Sequence, residues 1–290
     1  MRKKIMILTF LAMALLLVPM LVQSGEKKID LEERIEALEA KVAALEAKLQ
    51  YVSVEDGTIN GLVGPHMIIT GANLHLRSGD DNPGAMPNGL GNFIVGYNEP
   101  GIGVITGRMA SHVVVIGNGH GYTSNTGLVA GYENTITGYA ASVTGGTWNF
   151  AAGSYSSVSG GTENSAQGHG SSINGGTDNK ALGINSSVSG GWLNGAEGDH
   201  SSVTGGYWNR ATGELSVVSG GFENWADGKY SVVSGGKGGS AFGDQSTVSG
   251  GFGAFTRSDD GYRDWTAGGY QLIYYDYSSD TTQILTLPLP

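Results

Sequence analysis

The chain's six histidines, His66, His75, His112, His120, His169 and His200, are its natural proton carriers and metal ligands, yet their spacing suits neither role. No HExxH pair is present, no cysteine exists to join them, and no aspartate cluster surrounds them, so the sequence supports no metal site. Serine is abundant, but no GxSxG elbow sits between strand and helix signals. Gly117-Asn118-Gly119-His120-Gly121 lacks the lysine and following helix of a phosphate loop and reads as a turn. A calcium-binding GGxGxD nonapeptide is also missing. The expectation is a protein that binds rather than catalyses, without cofactor.

Aromatic surface is the chemistry that remains. Trp192, Tyr207 and Phe222 stand fifteen residues apart, each directly after a Gly-Gly pair, with Trp148, Trp208 and Trp225 nearby. On rungs about 4.8 Å apart such rings would stack. Two readings follow: an exposed strip for contact with sugar or protein, or rings that pack between subunits or cap a corner.

The scaffold for this strip is a repeat. Val143, Val158, Ile173, Val188, Val203, Val218, Val233 and Val248 recur every fifteen residues without a slip, each followed by Ser, Thr or Asn and then Gly-Gly. A fixed period over more than a hundred residues is the mark of a solenoid whose turns stack on one another. One turn reads V-S-G-G-x-x-N-x-A-x-G-x-x-S-S. The valine column and the alanine column (Ala151 to Ala241) should face inward, and the small alanines require two sheets lying close together. The glycines mark corners or close approaches. The asparagines, Asn134 to Asn224, are expected to bond their own backbone and their neighbours in a ladder rather than hold a ligand. Looser rungs are expected at 92–98, 113–120 and 128–134, short strands at 67–70 and 72–77, a surface loop at 80–89, and a terminal strand pair at 269–277 and 282–287.

Before the repeat the pattern changes. Ile35, Val42 and Leu49 at heptad position a, with Leu31, Leu38, Leu45 and Val52 at d, form a short coiled-coil seam. Basic Arg34, Lys41 and Lys48 fill every g position and acidic Glu32, Glu39 and Glu46 every e position, so parallel chains attract and antiparallel ones repel. Branched residues at a with leucine at d favour two strands, whereas Arg34-Ile35-Glu36-Ala37-Leu38-Glu39 looks like the signature of short trimeric coiled coils; the trimer is the preferred expectation.

Further upstream, Arg2, Lys3 and Lys4 precede an apolar stretch from Ile5 to Val22 and then Ser24-Gly25, the layout of an export signal. If it is retained, it would be a membrane anchor. Its removal turns 16 basic and 26 acidic groups into 13 and 26, a balance of −13 that argues against nucleic acid as a partner. Charged residues make up only 14% of the chain, so 50 glycines with Ser, Thr and Asn supply the polarity, and order comes from the repeat rather than from disulfides. The expected organisation is a signal peptide at 1–24, coiled coil at 25–52, a strand and loop transition at 53–90, divergent rungs at 91–142, regular repeats at 143–254 and a cap at 255–290.

The segments SVSGGTENSAQG at 157–168 and SVSGGWLNGAEG at 187–198 resemble the hemagglutinin-type head repeats of trimeric autotransporter adhesins, over roughly residues 90–254. That resemblance implies a left-handed parallel β-roll, three chains around a threefold axis and an adjoining coiled-coil stalk. Two features depart from the family: the coiled coil precedes the head, and no alternating strands for a membrane barrel follow Ala254. The expectation is therefore a secreted or surface-tethered parallel homotrimer that binds a glycan, matrix or cell-surface ligand. The alternatives are an ice-binding solenoid, suggested by columns such as Ser157 and Ser202, and a purely structural spacer.

Overall fold

A computed structural model describes residues 30–80, 82, 85–99 and 107–256, together with the backbone of strands Trp265–Thr266, Gln271–Asp276 and Thr281–Thr286. The export segment at 1–24 lies outside the described residues. The chain divides into two units, Met1–His75 and Leu76–Pro290.

In the second unit, the fifteen-residue step becomes a strand-pairing step. Val143 pairs in parallel with Val158, Val158 with Ile173, Ile173 with Val188 and Val188 with Val203. Ala151, Ala166, Ala181, Ala196 and Ala211 form the same succession on the opposite wall. The result is an all-β parallel solenoid with two facing sheets, in which the described residues form twelve strands of the valine sheet and ten of the alanine sheet. The looser rungs join the valine sheet as Phe93–Val95, Val113–Asn118 and Gly127–Tyr132, in registers that absorb their irregular spacing. Gln271–Asp276 and Thr281–Thr286 make the expected antiparallel pair.

From Phe150 to Thr256 each wall strand is only two residues long, so the side-chain alternation of an extended segment does the sorting. Val158 is fully buried, Ser157 is half-buried and Ser159 is exposed. Valine and alanine from the two walls meet in one thin core.

Asparagine ties the turns together along one corner. The backbone N–H of Asn149 donates to Asn134 Oδ1 (2.8 Å), that of Asn164 to Asn149 Oδ1 (3.0 Å), and the pattern continues through Asn224 to Gly239. Each side-chain amide also donates to two glycine carbonyls; Asn179 Nδ2 reaches Gly175 (3.0 Å) and Gly191 (3.0 Å). A buried polar group is tolerable only when so partnered.

His120 occupies this file one step before Asn134. Its N–H donates to Asn98 Oδ1 (2.9 Å), its Nδ1 accepts from the Asn134 N–H (3.2 Å), and its Nε2 lies 3.0 Å from the Ile116 carbonyl. Accepting at Nδ1 requires the neutral ring protonated at Nε2. Gly117 and Asn118 end the strand Val113–Asn118 and Gly121 opens the next, so the turn expected over 117–121 shrinks to Gly119 and His120, with the histidine completing the ladder.

Two glycine columns are enforced by different means. Gly191 has φ +88°, and an added Cβ would collide with the Gly206 carbonyl. Gly183 keeps no such dihedral, but the backbone of the next rung, at Gly198, occupies the space a side chain would need. Glycine is not the sole corner residue: Leu193, Trp208 and Glu223 (φ 56–57°) and His200, Leu215 and Tyr230 (φ 58–59°) take the left-handed conformation at two corners of each turn.

A second buried polar column runs through Ser156, Ser171, Ser186, Ser201, Ser216 and Ser231, whose hydroxyls have no hydrogen-bond partner. Ala141 stands in the same column and is equally buried.

In the first unit, a helix spans 30–49 and exposes its entire seam, with Leu31, Ile35, Leu38, Val42, Leu45 and Leu49 between 51% and 58% accessible. Arg34 and Glu39 flank that seam and are exposed. Val52 corrects the expected heptad count: it begins strand Val52–Glu55 and pairs with Ile69, so the helical seam ends at Leu49. Of the two strands expected after it, the first appears as His66–Ile69, while 72–77 forms no strand.

Two predictions follow from the polar columns. Asn179→Ala strands the Asn194 N–H and the Gly175 carbonyl and should cost about 3 kcal/mol or more, whereas Ser186→Ala removes an unpaired hydroxyl and should be neutral or stabilising by about 1 kcal/mol; thermal unfolding of the two variants checks the contrast. Burial holds His120 below its ordinary pKa of 6.5. Its contribution to stability is therefore full above that value and is lost as pH falls through the lower folded value. His120→Asn should lose less melting temperature than the parent between about pH 8 and about pH 5.

Candidate aromatic and acidic binding face

The outward side chains fall into columns as regular as the inward ones, but their residue types change from rung to rung. In the column after Gly-Gly, Thr177, Trp192, Tyr207, Phe222, Lys237 and Phe252 follow one another through parallel bridges. Tyr207 is tilted against Trp192, with centroids 5.0 Å apart, and stacks on Phe222 at 5.1 Å. The structure thus brings the three expected residues together as one ring ladder. Lys237 extends it, its ammonium 5.0 Å from the Phe222 ring and 5.4 Å from that of Phe252.

The next column sits on the left-handed corner, which turns Leu193, Trp208 and Glu223 away from the core; at Gly238 this column loses its side chain. Beyond the asparagine file come the outward residues of the alanine sheet, Gly195, Arg210, Trp225 and Ser240, and then Glu197, Thr212, Asp227 and Phe242. Where the columns drop to Gly195, and to Gly238 and Ser240, a hollow opens between neighbouring side chains.

Two hollows result, each of about 260 Å³, and Trp208 lines both. One lies over Gly195 and is bordered by Asp178, Lys180, Glu197 and Arg210. The other lies over Gly238 and Ser240, between Trp208, Trp225, Phe242 and Glu223. Their charges differ. In the first, Arg210 grips Glu197 through two nitrogens (2.8 and 2.7 Å), and this bond raises the arginine's pKa. In the second, Glu223 lines the hollow alongside the rings and has no ion-pair partner among the described residues.

Sequence reasoning singled out the ring ladder and missed these hollows, although it noted Trp208 and Trp225. The usable signal was the size sequence along each of two outward columns: Arg210, Trp225, Ser240 in one and Trp208, Glu223, Gly238 in the other. Among the described residues, no three His, Cys, Asp or Glu side chains lie close enough to hold a metal ion, and no helix is long and apolar enough to cross a membrane. No known family model and no curated protein matches the chain.

Ring stacking within one chain predicts a structural share for the ladder. Tyr207→Ser, which removes the central ring, should lower stability by about 1–3 kcal/mol and reduce the near-ultraviolet circular dichroism of the coupled aromatics.

Proposed function

We propose that the protein is an extracellular, trimeric β-roll adhesin or surface-fibre protein that binds by displaying three equivalent repeat faces. The observation that carries this reading is the difference between its two outer walls. On the valine sheet the outward column is nearly constant and small, running Ser142, Ser157, Ser172, Ser187, Ser202, Val217, Val232 and Thr247, all half-buried. On the alanine sheet the outward column varies from Gly195 to Arg210 to Trp225 to Ser240. A wall packed against copies of itself must repeat its shape on every rung, whereas a wall that meets ligand is free to vary.

The bare seam of the helix points the same way. Leucines and isoleucine on one stripe of a short helix need a cover, and identical parallel helices provide it while pairing Arg34, Lys41 and Lys48 with Glu32, Glu39 and Glu46. The head repeats at 157–168 and 187–198, with their resemblance to trimeric adhesin heads, support three copies rather than two. The reading includes export by the N-terminal segment and retention outside the cell, in solution or on a surface. Multivalent display turns modest single-site affinity into firm attachment.

Light scattering on the chain without residues 1–24 should give three chain masses, and Leu38→Asp, which places a charge in the seam, should shift the mass downward. A parent chain of single mass would overturn the trimer. For adhesion, the triple variant Trp192→Ser, Tyr207→Ser, Phe222→Ser should lose attachment to cells or matrix while remaining trimeric; unchanged attachment would remove the ring ladder from the ligand contact.

A further inference from the structure

We propose that the hollow between Trp208, Trp225 and Phe242 is a binding site for a quaternary ammonium group, with Glu223 as its counter-charge. Three aromatic side chains border a cavity of about 260 Å³ and remain open to solvent, with Trp208 50%, Trp225 40% and Phe242 41% accessible. The faces of such rings attract cations, most strongly where water is partly excluded, and rings gathered around a hollow are the usual receptor for methylated ammonium groups.

The molecule's own surface supplies the comparison. Two of its cations on this unit are placed over rings: Lys237 lies over Phe222 and Phe252, and Lys229 lies 5.2 Å from the Tyr230 ring while pairing with Glu214 at 2.8 Å. In the neighbouring hollow the carboxylate of Glu197 is taken by Arg210. Among the described residues, no cation of the chain lines the hollow over Gly238 and Ser240: Arg210, the rung neighbour of Trp225, is held by Glu197, and Lys237, next to Gly238, is directed at Phe222 and Phe252.

The missing partner is therefore a cation from outside. A quaternary group fits better than a primary one: its methyl groups need no directed acceptors, whereas a primary ammonium must place three N–H donors, and three of the six lining residues, Trp208, Trp225 and Phe242, present aromatic surface. A sugar would need several directed donors and acceptors as well. The net charge of −10 adds a long-range attraction for cations.

The cavity lies within one chain, so the proposal does not depend on the trimer. It is tested on the full-length repeat protein by titrating choline while following tryptophan fluorescence. Three controls accompany it: tetramethylammonium, the uncharged carbon isostere 3,3-dimethylbutan-1-ol, and methyl glucoside. Choline and tetramethylammonium should saturate one site per chain, with the isostere at least tenfold weaker and the glucoside silent. Glu223→Gln should weaken choline at least fivefold. Ser240→Phe should abolish binding by filling the hollow; the same column already carries Phe150 and Phe255, so the fold should tolerate it, as circular dichroism would register. Competition by phosphatidylcholine vesicles would place the ammonium on a lipid headgroup, and choline binding without such competition would place it on a free solute. Equal binding of the isostere, binding of glucoside alone, or choline binding unchanged in both variants would overturn the proposal.

Discussion

Everything in the repeat unit depends on an unbroken fifteen-residue step, and the asparagine file is the device that holds it. Each Asn Oδ1 accepts from the backbone of the next turn while its amide binds glycine carbonyls on both sides. A single inserted residue would move an asparagine out of the file, strand buried donors and put a side chain where Gly183 or Gly191 allows only backbone.

The same constraint confines function to the outward columns. Inward positions are committed to Val, Ala, Asn, Ser and Gly, and the corners to left-handed residues that direct side chains away from the core. Variation can then act as a size pattern along a column, where a run of large residues makes a ridge such as Trp192, Tyr207 and Phe222, and a step down at Gly195 or at Gly238 and Ser240 makes a hollow. A solenoid of this kind can acquire a binding site by substituting one residue in one rung, with no change to the core.

Much of the architecture was legible in the sequence because inward columns announce themselves by being constant. The valine and alanine walls, the looser rungs, the asparagine ladder and the ring ladder all appear where their spacing put them. Other features were hidden for physical reasons. Ser156 and Ser157 look alike in the repeat, and only the corner between walls turns the first inward and leaves the second half-buried. Leu193, Trp208 and Leu215 adopt conformations that residue type argues against, since stacking on the rungs above and below determines the corner. His120 joins the asparagine file by geometry rather than by resemblance. Val52 fits the heptad pattern, but pairing with Ile69 draws it into a strand. The hollows were missed because each is a step in size between rungs fifteen residues apart, visible only when the outward columns are aligned.

Residue-resolved hydrogen exchange measures the central lock most directly. The backbone amides of Asn149, Asn164, Asn179, Asn194, Asn209 and Asn224, which donate to asparagine side chains rather than to a strand partner, should be protected together and lost together as one cooperative unit. Exchange of these amides at the rate of open loops, while the valine-sheet amides stay protected, would contradict the account and leave the register without its lock.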